Sequence, residues 1–171
     1  MDTTTAQDAY ETDFAAWAED QAALVAAGDW SRVDAENVSE ELAALAASDK
    51  REIRSRLTVL LEHAMKLRAM PTHEAANGWR ATVREQRHGI YDLISQSPSL
   101  VMEVAASLQI AYRRAWADVH EDWGIKPSYG LDEAIQDAMH VFVDVEGPTG
   151  QSKKAQSSFL HRVSSLVDDV R

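Results

Sequence analysis

The chain has 171 residues, a hydrophobic content of 45% and a net charge of −11, which is enough sequence for one domain with a buried core. It contains no cysteine, and this excludes disulfides, thiolate metal sites and cysteine nucleophiles. No segment approaches the roughly 18 apolar residues of a spanning helix, and residues 1–5 lack the features of a signal peptide, so we expect a cytoplasmic protein without membrane contact.

Charge is distributed unevenly along the chain. Residues 1–50 hold twelve acids against Arg32 and Lys50, whereas residues 51–90 hold eight bases against four acids. An acidic segment repels nucleic-acid phosphates, so nucleic acid is not an expected partner. The basic stretch could face the acidic one, within a chain or across a dimer, although scattered charges are also typical of solvated helix faces.

The first predicted element is a helix over residues 8–27, ended by Gly28 in the position of a C-cap. Residues spaced three and four apart form one face of this helix, a stripe that is apolar except for Gln21. Residues 1–7 are expected to be disordered. The stripe consists of Tyr10, Phe14, Trp17, Gln21 and Leu24.

A second helix follows the N-cap residue Asp34 and ends before Pro71. Asp49 and Glu52 could form a new capping box, which would divide or kink this helix, but we favour one helix over residues 34–68. Its length would be about 50 Å, more than a compact domain of this size needs, and an overhang would invite a partner. The predicted stripe is Val38, Leu42, Leu45, Ile53, Leu57, Leu60, Ala64 and Leu67.

The remaining patterns are also helical. Asn77 is expected to cap a third helix that ends near Gln96, and Ser97-Pro98 to begin a fourth that stops at Gly124. Further helices are predicted over residues 131–142 and 159–170, on either side of a turn at 147–150. The expected fold is an all-α bundle of about six helices, with residues 8–124 as the main domain and 125–171 as an extension packed on it.

Certain residues between positions 10 and 124 follow a characteristic order. They are Tyr10, Asp13, Trp17, Gln21, Asp34, Asn37, Glu40, Glu41, Arg51, Ser55, Leu57, Leu60, Leu61, His63, Lys66, Trp79, Gln86, Arg87 and Pro98-Ser99-Leu100. This order resembles the bacterial family of domains of unknown function called DUF29. The chain departs from the family pattern at Leu67, where Trp is usual, at Met70, where Gln is usual, and at Asn77-Gly78. The resemblance implies an α-helical fold in a bacterial cytoplasmic protein and implies no reaction.

Nine residues are candidates for a polar site or a buried network. Gln21 and Gln86 interrupt apolar stripes, so each needs hydrogen-bond partners if it is buried, and such networks fix helix register more often than they supply chemistry. Arg87 belongs to a basic stripe with Arg80 and Arg84, for which ion pairs to Asp13 or Glu41 are favoured over nucleic-acid binding. The nine candidates are Gln21, Asn37, Glu40, Glu41, His63, Lys66, Trp79, Gln86 and Arg87.

Metal chemistry would have to use Glu40, Glu41 and His63. These residues are far apart on one helix and converge only if the chain folds back at Ser48-Asp49. The sequence therefore favours a core His63 hydrogen-bonded to a neighbouring Glu or Gln. No metal, cofactor or catalytic residue is predicted.

We therefore expect a non-catalytic helical interaction module that forms a homodimer or binds another protein. Two alternatives remain open. One is a small metal-dependent enzyme that uses Glu40, Glu41 and His63, and the other is an acidic antidote or regulator that binds a basic protein through the first 50 residues.

Overall fold

The structure is a computed structural model that describes residues 6–125 together with Gly130 and Glu133, with side chains described from residue 9 onward. All regular secondary structure in these residues is helical, which confirms the all-α prediction. Several predictions lie outside the described residues: those for residues 1–5, for the turn at 147–150 and for the helix over 159–170. The helix predicted over 131–142 lies outside them too, except for Glu133. In order, the elements are α1 (Ala6–Thr12), α2 (Phe14–Ala27), α3 (Ala35–Ala69), α4 (Ala76–Gln96), a 3-10 helix (Pro98–Leu100) and α5 (Val101–Trp123).

The chain divides into two compact units, Met1–Ser48 and Asp49–Arg171. The division falls within α3, which is a single uninterrupted helix. The predicted extension from residue 125 onward stays a prediction, because it lies almost entirely outside the described residues.

In the first unit, the predicted single helix over residues 8–27 is two helices. The chain leaves the helical conformation at Asp13, whose carboxylate accepts a hydrogen bond from the Ala16 N–H at 3.1 Å and caps α2. A short acidic side chain can compete in this way for backbone donors, and so it can start a new helix inside a continuous apolar stripe. α1 begins at Ala6, within the segment predicted to be disordered. The predicted end of α2 is confirmed, since Gly28 adopts a φ of +70°.

α3 is the long predicted helix, now third in order, and it runs through Ser48-Asp49 without a break. Asp34 caps it as predicted, because its carboxylate accepts a hydrogen bond from the Asn37 N–H at 3.3 Å. α3 ends at Ala69, two residues before Pro71, in agreement with the restriction that proline places on a preceding helix. The capping box at Asp49 and Glu52 therefore does not start a new helix.

The N-terminal half of α3 departs from the predicted stripe. Leu42 and Leu45 are each 64% exposed, whereas Asp34, Asn37 and Glu41 are half-buried. The latter three follow the i, i+3, i+7 spacing of one helix face. In this half of α3, several polar residues are thus less exposed than the two leucines.

The second unit has an apolar core built by the C-terminal half of α3 with α4, the 3-10 helix and α5. Leu60 is fully buried, and each buried side chain of this size contributes about 1.5–3 kcal/mol. The core residues are Ile53, Leu57, Leu60, Leu61, Met65, Ile90, Leu100, Val101, Val104, Leu108, Ala111, Ala115 and Val119. The predicted stripe of α3 is thus confirmed at Ile53, Leu57 and Leu60.

Two helix starts differ from the prediction. α4 begins two residues early, with Ala75 as its N-cap, and the Asn77 side chain accepts a hydrogen bond from Arg80 instead of capping the helix. Ser97-Pro98 opens a 3-10 helix, and α5 follows from Val101. α5 ends at Gly124, with φ +63°, as predicted.

Candidate functional site

In the first unit, Tyr10 joins α1 to α3. Its hydroxyl donates a hydrogen bond to Glu41 Oε1 at 2.5 Å, and its ring packs edge-on against Trp17 at 4.8 Å between ring centres. The hydrogen bond to Glu41, with a smaller contribution from burial, raises the pKa of Tyr10 to about 12, because a nearby carboxylate disfavours the phenolate. Glu41 is thus positioned as a hydrogen-bond acceptor.

Gln21 connects α2 to the start of α3. It is only 6% exposed, and its side-chain oxygen accepts a hydrogen bond from the Asp34 N–H at 2.8 Å. Asp34 in turn accepts a hydrogen bond from the Asn37 side chain at 2.7 Å. The structure therefore brings Gln21 and Asn37 to the same helix cap, while Glu40 is exposed.

In the second unit, Lys66 is buried, with its side chain 7% exposed, and pairs with Glu62 one turn earlier on α3. Its ammonium lies 4.9 Å from the ring centre of Trp123 at the end of α5. Although Leu67 replaces the tryptophan usual in the family, an indole does lie beside Lys66, and α5 supplies it. A cation–π contact with a desolvated ammonium is favourable.

Trp79 completes this cluster from α4. Its ring meets Trp123 edge-on at 5.4 Å between centres, and His73 stacks on it at 5.0 Å with 12° between the ring planes. His73 Nδ1 accepts a hydrogen bond from the Ala75 N–H at 3.2 Å. Aromatic rings and one buried ion pair therefore join α3, α4, α5 and the α3–α4 loop.

His63 has a backbone partner. Its Nδ1 lies 2.9 Å from the Val59 carbonyl oxygen, one turn earlier on the same helix. Since a carbonyl oxygen only accepts, this contact is a hydrogen bond when Nδ1 carries the proton. No Glu or Gln among the described residues bonds to His63, and the predicted bond stays a prediction.

Glu40 and Glu41 belong to the first unit and His63 to the second, with about six helical turns of α3 between them. Within the described part of the chain, no group of three or more His, Asp or Glu residues is placed to hold a metal ion. The proposed ligand set stays a prediction from sequence alone.

Gln86 fixes an arginine between α3 and α4. Its oxygen accepts a hydrogen bond from Arg56 Nη1 at 3.2 Å, while Arg56 Nη2 pairs with Glu52 at 2.8 Å. A Cβ at Gly89 would lie only 2.4 Å from Arg56 Nη1, so the glycine makes room for the guanidinium. An open groove of about 490 Å³ lies here, lined by Arg56, Ala81, Arg84, Glu85, His88, Gly89 and Asp92.

Arg87 is half-buried, and its Nε makes no hydrogen bond to the described residues. Arg80 donates to the Asn77 side chain and to the Pro71 carbonyl. Neither of these arginines, nor Arg84, takes part in an ion pair among the described residues. The ion pairs predicted with Asp13 or Glu41 stay predictions.

One buried polar group was missed. Ser107, 1% exposed, donates to Glu103 and accepts a hydrogen bond from Arg54 Nε at 3.3 Å, and Arg54 also pairs with Glu103 at 3.1 Å. Ser107 occupies the buried stripe of α5 between Val104 and Ala111. A polar residue in that stripe was the available signal, of the same kind that singled out Gln21.

These contacts define an all-α protein in which the buried polar residues Gln21, Lys66 and Ser107 bond to other side chains or to the backbone. The chain belongs to the family described as domain of unknown function DUF29, whose model matches residues 9–139. The match confirms the resemblance and continues past residue 124, where the range given for the resemblance ended. No curated protein and no solved structure matches the chain. None of the helices in the described residues is long and apolar enough to cross a membrane.

Proposed function

We propose that this protein is a non-catalytic interaction module that forms a homodimer through the N-terminal half of α3. The observation that carries the proposal is the exposure of Leu42 and Leu45, 64% each, on the helix that buries Leu60 completely. Side chains at i and i+3 are neighbours on a helix surface, so the two leucines form one apolar patch. Burying each of these leucine side chains in an interface would contribute about 1.5–3 kcal/mol to the free energy of binding.

Single exposed leucines are common on protein surfaces, but these two are neighbours on one helix and both are 64% exposed. The half-buried positions around them include Asp34, Asn37 and Glu41, whose polar groups bond to the Asp34 cap and to Tyr10. Because both leucine side chains are largely exposed, they contribute little to the folding of their own chain. The free energy of burying these two side chains is therefore available for binding a partner.

A second copy is the partner best suited to this patch. A twofold axis places the same surface on both sides of an interface, and two leucines on a helix can pack against the same two leucines of another copy. The chain also carries both signs of charge in separate stretches, so a second copy can supply bases to the acidic residues 1–50.

Light scattering coupled to size exclusion, over a range of protein concentrations, tests the proposal. The wild type is expected to reach the dimer mass, and Leu42→Glu/Leu45→Glu to remain monomeric with unchanged helical circular dichroism. The matched control is Met102→Glu/Ile110→Glu, which changes two exposed apolar residues of α5 and should leave the dimer intact.

A wild-type chain that stays monomeric at high concentration would overturn the homodimer. A monomer that captures a basic protein, and loses it in the Leu42→Glu/Leu45→Glu variant, would assign the patch to the acidic-regulator alternative.

A further inference from the structure

We infer that one side of α4 is a docking surface for an acidic helix of another protein, held by ion pairs to three arginines. Arg80, Arg84 and Arg87 follow the i, i+4, i+7 spacing of one helix face and form an arginine stripe along α4. This stripe belongs to the second unit and the leucine patch to the first. Either surface can therefore fail without the other.

The arginine stripe lacks carboxylate partners, in contrast to the bases of the neighbouring half of α3. All four Lys and Arg residues of α3 from position 54 to 68 pair with a carboxylate, whereas no arginine of the stripe does so among the described residues. The buried Nε of Arg87 also lacks a hydrogen-bond acceptor there, and such a donor is destabilising until it finds one. The four pairs on α3 are Arg54–Glu103, Arg56–Glu52, Lys66–Glu62 and Arg68–Glu133.

The two acids predicted from sequence to neutralise this stripe already have partners in the first unit. Asp13 accepts a hydrogen bond from the Ala16 N–H and caps α2. Glu41 accepts a hydrogen bond from the Tyr10 hydroxyl at 2.5 Å. The stripe is thus left open to the carboxylates of another molecule.

The start of α4 adds positive potential at one end of the stripe. Its first turn contains no acidic residue, and its N-cap residue, Ala75, has no side chain that could cap it. The partial positive charge of the helix N-terminus is therefore not compensated by a carboxylate of the first turn. Arg80 is held at this end by hydrogen bonds to the Asn77 side chain and the Pro71 carbonyl. The helix end and the stripe attract the same kind of ligand, an anion.

The charges around the stripe favour a protein helix over a nucleic acid. The chain as a whole carries a net charge of −11, which repels a phosphate backbone at long range. Glu85 and Asp92 are exposed and lie about 80–100° round α4 from Arg84. A uniformly charged phosphate chain would meet these carboxylates, whereas a protein helix can present acids to the stripe and a base to Glu85 and Asp92.

The spacing of the stripe fits a helix with acids at the same spacing. Arg80 and Arg87 are about 10 Å apart along the axis of α4. A second helix with carboxylates three and four residues apart places one beside each guanidinium. Exposed ion pairs each contribute little and are screened by salt, so this contact is expected to be weak and salt-sensitive.

Nuclear magnetic resonance of the isotope-labelled full chain detects weak binding of this kind. The probe is an alanine-based helical peptide with three Glu residues spaced four and three apart. The control peptide has the same composition with its Glu residues on different faces. At low salt we expect the amide shifts of α4 to move with the first peptide and little with the second. Shifts that do not distinguish the peptides, or that centre outside α4, would overturn the docking surface.

A pair of variants separates the stripe from total charge. Arg80→Gln/Arg84→Gln, on exposed positions of α4, should weaken binding of the peptide roughly fivefold, as expected for the loss of two exposed ion pairs. The matched control, Arg113→Gln/Arg114→Gln on exposed positions of α5, changes the net charge equally and should leave binding unchanged. Both variants should keep the helical circular dichroism of the wild type. An equal loss of binding in both would contradict the inference.

The remaining outcomes assign the stripe elsewhere or leave it standing. A short DNA duplex that binds more tightly than the peptide at the same salt concentration would replace the acidic helix by nucleic acid. A dimer that becomes a monomer in Arg80→Gln/Arg84→Gln would assign the stripe to the homodimer instead of a separate partner. A monomeric wild type that still binds the peptide would overturn the homodimer and support the docking surface.

Discussion

Lys66 shows how a single buried cation is accommodated. An ammonium removed from water is costly unless it gains a partner of opposite charge and further contacts. Glu62 supplies the charge from one turn earlier on α3, in the Glu-before-Lys order that is favourable at i, i+4, and Trp123 supplies a ring face. These contacts account for Lys66 as a residue that ties α5 to α3.

Tyr10 allows a pH test at the same scale. Its ordinary pKa is 10.0, and the hydrogen bond to Glu41 raises the value to about 12. The pKa of Tyr10 is higher in the folded protein than in the unfolded chain. The contribution of the Tyr10–Glu41 hydrogen bond to folding stability is therefore fully present below pH 10 and is lost as the pH rises towards 12.

The measurement is the phenolate absorbance of the wild type minus that of Tyr10→Phe, followed as a function of pH. We expect the difference to have its midpoint near pH 12 and to move towards 10 in Glu41→Gln. Glu36→Gln is the control and should leave the midpoint unchanged. A wild-type midpoint near 10 would show that Tyr10 does not bond to Glu41 in solution.

At the level of the elements, Gly89 of α4 leaves room for a side chain of α3 because it has none of its own. Arg56 occupies that space and reaches Gln86. A glycine inside a helix costs about 1 kcal/mol relative to alanine, so α4 gives up helix stability at this position in exchange for the arginine contact.

Gly89→Ala should therefore change the free energy of unfolding little in the wild type, because the helix gain of about 1 kcal/mol is offset by displacement of Arg56. In an Arg56→Ala background, Gly89→Ala should raise the free energy of unfolding by the full gain of about 1 kcal/mol. Urea denaturation of the four chains in this double-mutant cycle measures the coupling.

Gly78 is the matched control, because it lies on the same helix and a Cβ there would meet nothing within 4 Å. Gly78→Ala should have the same effect with and without Arg56. An equal gain for Gly89→Ala in both backgrounds would mean that the arginine does not occupy the space above Gly89.

For the whole molecule, the two ends of α3 serve different purposes. Leu60 is completely buried, whereas Leu42 is 64% exposed, although both are leucines on one uninterrupted helix. Leu60 stabilises the second unit, whereas Leu42 belongs to the patch that we propose for self-association.

Leu60→Ala should lower the free energy of unfolding by about 2–5 kcal/mol, through lost burial and a residual cavity. Leu42→Ala should change the unfolding of the monomer by less than about 0.5 kcal/mol and weaken only the dimer. Chemical denaturation at a dilution below the dimer dissociation constant separates the two effects, and similar losses for both variants would mean that Leu42 is buried in the monomer.

Much of this architecture could be predicted because its signals are local. Asp34 and Gly28 mark helix ends through their own backbone preferences, as does Gly124. The buried stripe through Ile53, Leu57 and Leu60 follows from the period of 3.6 residues. The match of the chain to DUF29 likewise depends on residue order alone.

What the sequence by itself determined is therefore the helical class, most helix ends and the family. Only the tertiary structure decided that Leu42 and Leu45 face outward and that Trp123 lies over Lys66. The physical reason is that periodicity defines a face of a helix without naming what covers it. Burial depends on which distant segment packs there, and hydrogen bonds such as those of Gln21 and Tyr10 hold polar residues of α3 against neighbouring helices.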